Sequence, residues 1–261
     1  MTQEQNGDFL TISAIAMLAF MFADIAHEVI GHGLGFILAG GHACVLTTTR
    51  LNETQRLGDH GGDLFDLGGP LGNLACAALA WIALRARRPA APHLQLFLWL
   101  TTAFSLFWAF AYLMFCGVFG HGDWSALIRA VPHQWVWRAV FVVFGLLLYR
   151  TSMNSLTSEL RWIYSPARAS HALLISYVAG GIIACAGASL DPRGAYAVYH
   201  DAALSSFGSS IGILAIARQL PKPAIDFIAA PMNRRVPWLI AALLASLFYI
   251  LVLGPGIKAT L

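Results

Sequence analysis

Seven runs of about 20 mainly apolar residues, at 9–39, 64–86, 94–119, 134–150, 170–190, 203–219 and 237–254, take up most of this chain. A helix of that length matches the hydrocarbon thickness of a bilayer. In lipid, only helices and closed barrels satisfy their own backbone. Charged residues are 11% of the 261 and apolar ones 58%, whereas a soluble domain is roughly 25% charged. The expected fold is therefore all-α, a polytopic membrane protein with about seven transmembrane helices, or six if the weakest run fails. The fourth and sixth runs are the weakest. The sixth holds Ser205, Ser206, Ser209 and Ser210 beside Gly208 and Gly212, a composition suited to a broken or re-entrant helix.

No linker separates soluble modules, so residues 1–261 read as one membrane domain. The first apolar run is too long for a signal peptide and "MTQEQNGD" before it has no basic residue, so this segment is expected to stay in the mature protein. Lys and Arg divide ten to six between the two sides, the excess lying with the N-terminus. That bias favours a cytoplasmic N-terminus in an integral multi-pass protein of a cell or inner membrane. Between 40 and 63, "VLTTT" suits a short strand or hairpin, and 221–237 suits an interfacial stretch. Cys44, Cys76, Cys116 and Cys185 lack metal-ligand spacing and read as small buried thiols. No basic patch with interleaved aromatics suggests nucleic acid.

Ionisable residues inside a membrane span are costly and mark function by default. Asp24, His27, Glu28 and His32 all fall in the first run. At about 1.5 Å per residue, the two histidines lie near its far end. The second run returns from that end through "DLFDLGGPLGNL", carrying Asp66, Gly69, Pro70 and Asn73. The third ends there with "CGVFGHGDWSALI", carrying His121 and Asp123. Counting lengths alone thus brings three polar clusters to one membrane face.

Imidazole and carboxylate together form the ligand set of a Zn²⁺ site, which when catalytic keeps three protein ligands and an open position. His27, His32 and Asp123 are the candidate ligands, with Glu28 as a base able to take a proton from water. Asp123 also suits a helix N-cap, and Pro70 and Asn73 suit the shaping of a helix entry. Asp24 is a second-shell, solvated or relay group, and His42, Asp59, His60 and Asp63 are expected to be solvated. His27 and His32 are five residues apart, which leaves them about 140° apart on a regular helix. They converge only if a π-bulge around Val29–Gly31 absorbs one residue.

In order, "HEVIGH", "GGPLGN" and "GHGDW" resemble the site-2 protease family of intramembrane zinc metalloproteases. The resemblance covers about 9–125 as a three-helix core, with 126–261 as additional transmembrane helices. Its motifs are H-E-x-x-H, G-P-x-x-N and an aspartate beside a glycine; here the first has one residue too many and the last reads Gly-Asp. The resemblance implies zinc on His27, His32 and Asp123, Glu28 as general base, and Asn73, Pro70 and Gly69 supporting the substrate or transition state, with Asp24 and His121 near by. It also implies a transmembrane protein as substrate. Two other functions fit the residues: a non-catalytic metal- or client-binding descendant of that fold, and a membrane zinc hydrolase acting on lipid amides. The last is weakened by the isolation of His171 and His200 in the later runs, and transport fits less well because carboxylates and histidines do not recur along runs four to seven.

Overall fold

The computed structural model describes residues 8–53, 57, 61–86, 91–160, 166–220 and 232–260. Asp59, His60 and most of the 221–237 stretch lie outside those residues. Helix α1 (Phe9–Ile25) passes through a π-helical segment, Ala26–His32, into α2 (Gly33–Leu38) without a break. Then come strands β1 (Ala43–Leu46) and β2 (Leu51–Glu53) and helices α3 (Gly61–Ala86), α4 (Pro92–Phe119), α5 (Gln134–Leu160) and α6 (Pro166–Ala188). The chain closes with α7 (Gly212–Gln219), α8 (Val236–Phe248) and β3 (Ile257–Thr260).

Six helices among the described residues are long and apolar enough to cross a membrane: Phe9–Leu38, Gly61–Ala86, Pro92–Phe119, Gln134–Leu160, Ala169–Ala188 and Val236–Leu253. The expected sixth run is not one of them, yet it runs back along α6. It winds as π-helix over Ala197–Gly208, 3-10 helix over Ser209–Ile211 and α-helix over α7. Ser170 at the start of α6 donates to the Ala217 carbonyl (3.0 Å), and Tyr177 donates to the Phe207 carbonyl (3.2 Å). Tyr149 bridges the break, donating to the Ser209 carbonyl at 2.6 Å and accepting the Gly212 amide at 2.8 Å. The serines and glycines of this stretch thus give a broken helix whose freed backbone is met by a neighbour.

Helix α5 extends ten residues past its expected end at 150, and its hydroxyls there are met by their own helix. Thr151, Ser152 and Thr157 donate to carbonyls four residues earlier, at 2.7–2.8 Å. Helix α4 is the centre of the bundle. Trp99, Phe104 and Phe107 on it are almost wholly buried, and the Trp99 indole donates to the Leu156 carbonyl at 3.0 Å.

The expected hairpin forms and gains a third strand. The antiparallel order is β2-β1-β3, with Leu46 opposite Leu51 on one side and Ile257 on the other. Asp8 at the start of α1 takes the Arg234 guanidinium just before α8 (3.1 Å), so both helices start at one end of the bundle. The sheet, the loop after α4 and the loop after α6 share the opposite end.

Candidate metal centre

The extra residue between the histidines is taken up by the π-helical segment Ala26–His32, which contains the Val29–Gly31 stretch where a bulge was expected. A π turn holds more residues than an α turn, so positions i and i+5 stack. The His27 and His32 rings lie 4.8 Å apart, edge to face at 86°.

Asp123 arrives from the end of α4. Gly120 (φ 74°) stops that helix and Gly122 (φ 104°) reverses the chain, conformations that cost a side-chain-bearing residue. A 3-10 turn over Asp123–Ile128 follows. It is pinned by the Trp124 indole, which donates to the Ala109 carbonyl at 2.9 Å. Arg129, just beyond, pairs with Asp63 (2.8 Å) and with Asp66, both on α3. The Asp123 side chain does not cap this turn. It faces the histidines, with Oδ2 at 3.2 Å from His27 Nε2 and 3.4 Å from His32 Nε2.

Helix α3 closes the corner, and "GGPLGN" shows why it carries so little bulk. A Cβ on Gly31 would meet the Gly69 Cα at 2.9 Å, and one on Gly35 would meet the Leu64 carbonyl oxygen at 2.6 Å. A Cβ on Gly72 would enter the Ala26 carbonyl, and one on Gly69 would enter both imidazoles. Between membrane helices, such backbone contact replaces the hydrophobic drive that lipid removes. Pro70 is buried within the helix. Asn73 is fully buried and its amide lies 3.1 Å from His27 Nδ1. It therefore touches a candidate ligand directly.

These groups fit a metal ion. Bonds of about 2 Å to tetrahedral ligands put ligand atoms about 3.3 Å apart, close to the two nitrogen–oxygen separations. The three ligand atoms lie within 4.8 Å of one another. At these separations Asp123 Oδ2 still accepts no hydrogen bond: the ring nitrogens do not point along the line to the oxygen. The outer nitrogens agree. His32 Nδ1–H donates to the Phe65 carbonyl at 2.8 Å, leaving its Nε2 a lone pair. Asn73 Oδ1 has no partner; turning the amide, an assignment set by bonding rather than density, lets it accept from His27 Nδ1–H and frees that Nε2 as well. Such outer partners fix the tautomer of metal-bound histidines.

Glu28 is 5% exposed, and its Oε2 has no hydrogen-bond partner among the described residues. It accepts a bond from the Leu51 backbone at the start of β2. With the three candidate ligands it lines a cavity of about 1080 Å³. Asp24 is buried and accepts the Tyr249 hydroxyl at 3.0 Å, so it is not solvated. His121 is exposed and packs on Phe115 (5.3 Å), outside the ligand cluster. Asp63 pairs with Arg129, whereas His42 is exposed as expected. All four cysteines are free, and three are buried. Sequence reasoning missed Trp108, which stacks on His27 (4.9 Å, 15°), as well as Tyr249 and Arg129. Apolar helices are rich in such residues, and nothing in their spacing singles these out.

No protein-family model, curated protein or solved structure matches this chain.

Proposed function

We propose that this chain is a zinc-dependent intramembrane peptidase, a divergent relative of the site-2 proteases, which cuts a peptide bond in a transmembrane segment of another protein. One observation carries the reading. A π-helical turn brings two imidazole nitrogens onto the carboxylate oxygen of Asp123 without hydrogen-bonding it, beside a buried glutamate with a free oxygen. Two nitrogens and one oxygen, with room for a fourth ligand, suit Zn²⁺ better than Mg²⁺ or Ca²⁺, which prefer all-oxygen sites. The six apolar helices support an integral multi-pass protein of a cell or inner membrane.

A zinc ion held by His27, His32 and Asp123 would polarise the scissile carbonyl and acidify a water. Glu28 takes the proton from that water through its free Oε2 as the new carbon–oxygen bond forms. It then delivers the proton to the amide nitrogen as the carbon–nitrogen bond breaks. Asn73 and the Phe65 carbonyl keep the rings in the ligating tautomer, and Trp108 supports the face of His27.

Metal analysis of the purified chain and cleavage of a transmembrane peptide test this together. The expected result is one zinc per chain, lost in His27→Ala and Asp123→Ala. Glu28→Gln should keep the zinc and lower the cleavage rate by about 10²–10⁴-fold. Stoichiometric zinc with no cleavage of any reconstituted substrate would leave the non-catalytic binding reading. Hydrolysis of a lipid amide instead would move the assignment to that class. A chain that takes up no metal removes both hydrolase readings and leaves only client binding.

A further inference from the structure

The wall of the cavity facing the histidines is also polar, and it is built differently. The turn between β1 and β2 closes through Thr47, whose amide and hydroxyl both donate to the Arg50 carbonyl, at 2.9 and 3.2 Å. Thr49 on that turn is tied across to the loop after α6. Its hydroxyl donates to Asp191 (3.0 Å) and accepts from Arg193 (2.6 Å). Arg193 in turn pairs with Asp191 (3.0 Å) and with Asp201, so all three guanidinium nitrogens are engaged. The turn is thus clamped at Thr47 and Thr49, and its other two side chains are left over.

Those two are Thr48 and Arg50, and both line the cavity. Thr48 is 3% exposed and its hydroxyl has no partner among the described residues. Arg50 is exposed at the cavity mouth and no carboxylate among the described residues bridges it, though its charge lies within reach of Arg193, Asp191, Asp201 and Glu28. Arg50 directly precedes Leu51, whose amide is bonded to Glu28. Two hydrogen-bond donors without an acceptor therefore stand on a fixed turn beside the candidate base. A second guanidinium near by is already neutralised.

We infer that Thr48 and Arg50 form an anion-binding subsite for a carboxylate side chain, so that the preferred substrate is a transmembrane peptide with an acidic residue close to the cleaved bond. This rests on the peptidase reading. A peptide source is favoured over a lipid headgroup because Arg50 lines the same cavity as Glu28 and the candidate metal ligands. A guanidinium binds a carboxylate in a paired, charge-assisted geometry.

The test is binding rather than turnover. The full chain carrying Glu28→Gln, loaded with zinc in phosphatidylcholine nanodiscs, is titrated with fluorescent transmembrane peptides. These are identical except for Glu, Gln or Lys at one juxtamembrane position. The expected result is a preference for the Glu peptide over the Gln peptide of about tenfold, the scale of one hydrogen bond to a charged group. That preference should fall to near unity in Arg50→Ala, survive in part in Arg50→Lys, and pass to the Lys peptide in Arg50→Glu. Equal binding of the Glu and Gln peptides, or a preference that outlives Arg50→Ala, overturns the inference. So does an Arg50-dependent preference that 20 mol% phosphatidylglycerol (roughly a physiological anionic fraction) abolishes, since it assigns Arg50 to lipid. If the preference holds while no wild-type sample cleaves anything, the subsite stands and the hydrolytic reading falls. If cleavage occurs without any preference, the reverse is true.

Discussion

Two clusters of ionisable groups share one cavity in this protein, and they treat their hydrogen bonds in opposite ways. Around Arg193, the guanidinium, Asp191, Asp201 and the Thr49 hydroxyl are joined to one another. Around His27 and His32 the groups are just as close, yet Asp123 Oδ2 and Glu28 Oε2 are buried without partners among the described residues. A buried polar atom left unpaired costs about 1–3 kcal/mol, and a fold retains several at one place only if something else meets them. The saturated cluster is read as structure, tying the hairpin to the loop after α6. The unsatisfied one is a group that could hold a metal ion, in line with the function proposed above. On this contrast, damage to the first should lower stability and spare metal binding, and damage to the second should do the reverse.

The sharpest way to break the contrast is Gly69→Ala, because the new Cβ would enter both imidazole rings. Zinc affinity, measured by competition with a chromophoric chelator, is expected to fall by about 100-fold or more, comparable to loss of an outer-shell partner. The unfolding midpoint should change little. If zinc binding persists at wild-type affinity, the rings are not where the ion sits.

Next comes Arg193→Ala. It strands Asp191, whose side chain is only 1% exposed, beside Asp201. Removing one member of a buried pair costs about 3–5 kcal/mol; Arg193 is partly exposed, so about 2 kcal/mol is expected, read as a lower thermal midpoint at unchanged zinc affinity. The same cluster sets a pH signature. Burial of Asp191 opposes its charge, but the bonds from Arg193 and Thr49 outweigh it and lower its folded-state pKa below the unfolded value. Its stabilisation is therefore complete above about pH 4 and lost as pH falls through the folded value. The acid side of the stability profile should flatten in Arg193→Ala, and an unchanged profile would contradict the assignment.

A smaller effect is expected at Arg129, which links the Asp123 turn to Asp63 and Asp66. The pair is about half exposed on the arginine side, and such bridges are worth about 0–1 kcal/mol. Zinc binding by Arg129→Ala should weaken no more than about fivefold, and the gap should close in high salt. The smallest effect belongs to deletion of Ile30, whose side chain is 56% exposed. A π-bulge is one residue inserted in an α-helix, so its removal should return a regular turn with α2 still in register on α3. Zinc affinity within about threefold of wild type is expected. A loss of more than 100-fold would mean that the extra residue builds the site rather than being tolerated by it.

Much of the site was legible before any coordinates, because helix length converts residue number into depth. That conversion brought Asp24–His32, Gly69–Asn73 and Asp123 to one end, and angular arithmetic required a bulge between His27 and His32. Other parts were hidden for identifiable reasons. Asn73 and Trp108 touch His27 from helices distant in sequence, and rotation about a helix axis is set by packing that apolar composition does not encode. Asp191, Arg193 and Asp201 drew no reading from the sequence, since nothing local says that Thr49, more than 140 residues earlier, completes their hydrogen bonds.

The sequence by itself determined the helical class, the approximate spans and the depth of each polar group, because these follow from rise per residue and the cost of charge in lipid. It also determined that "HEVIGH" could not serve one ion on a regular helix. Only the tertiary structure decided that the helix widens at Ala26–His32, that Gly69 on α3 gives the rings room, and that the groups around Arg193 are joined to one another while Asp123 Oδ2 and Glu28 Oε2 are not. Those outcomes depend on which faces meet across the bundle, and close backbone contact between helices sets that choice through many small packing terms spread over the whole chain.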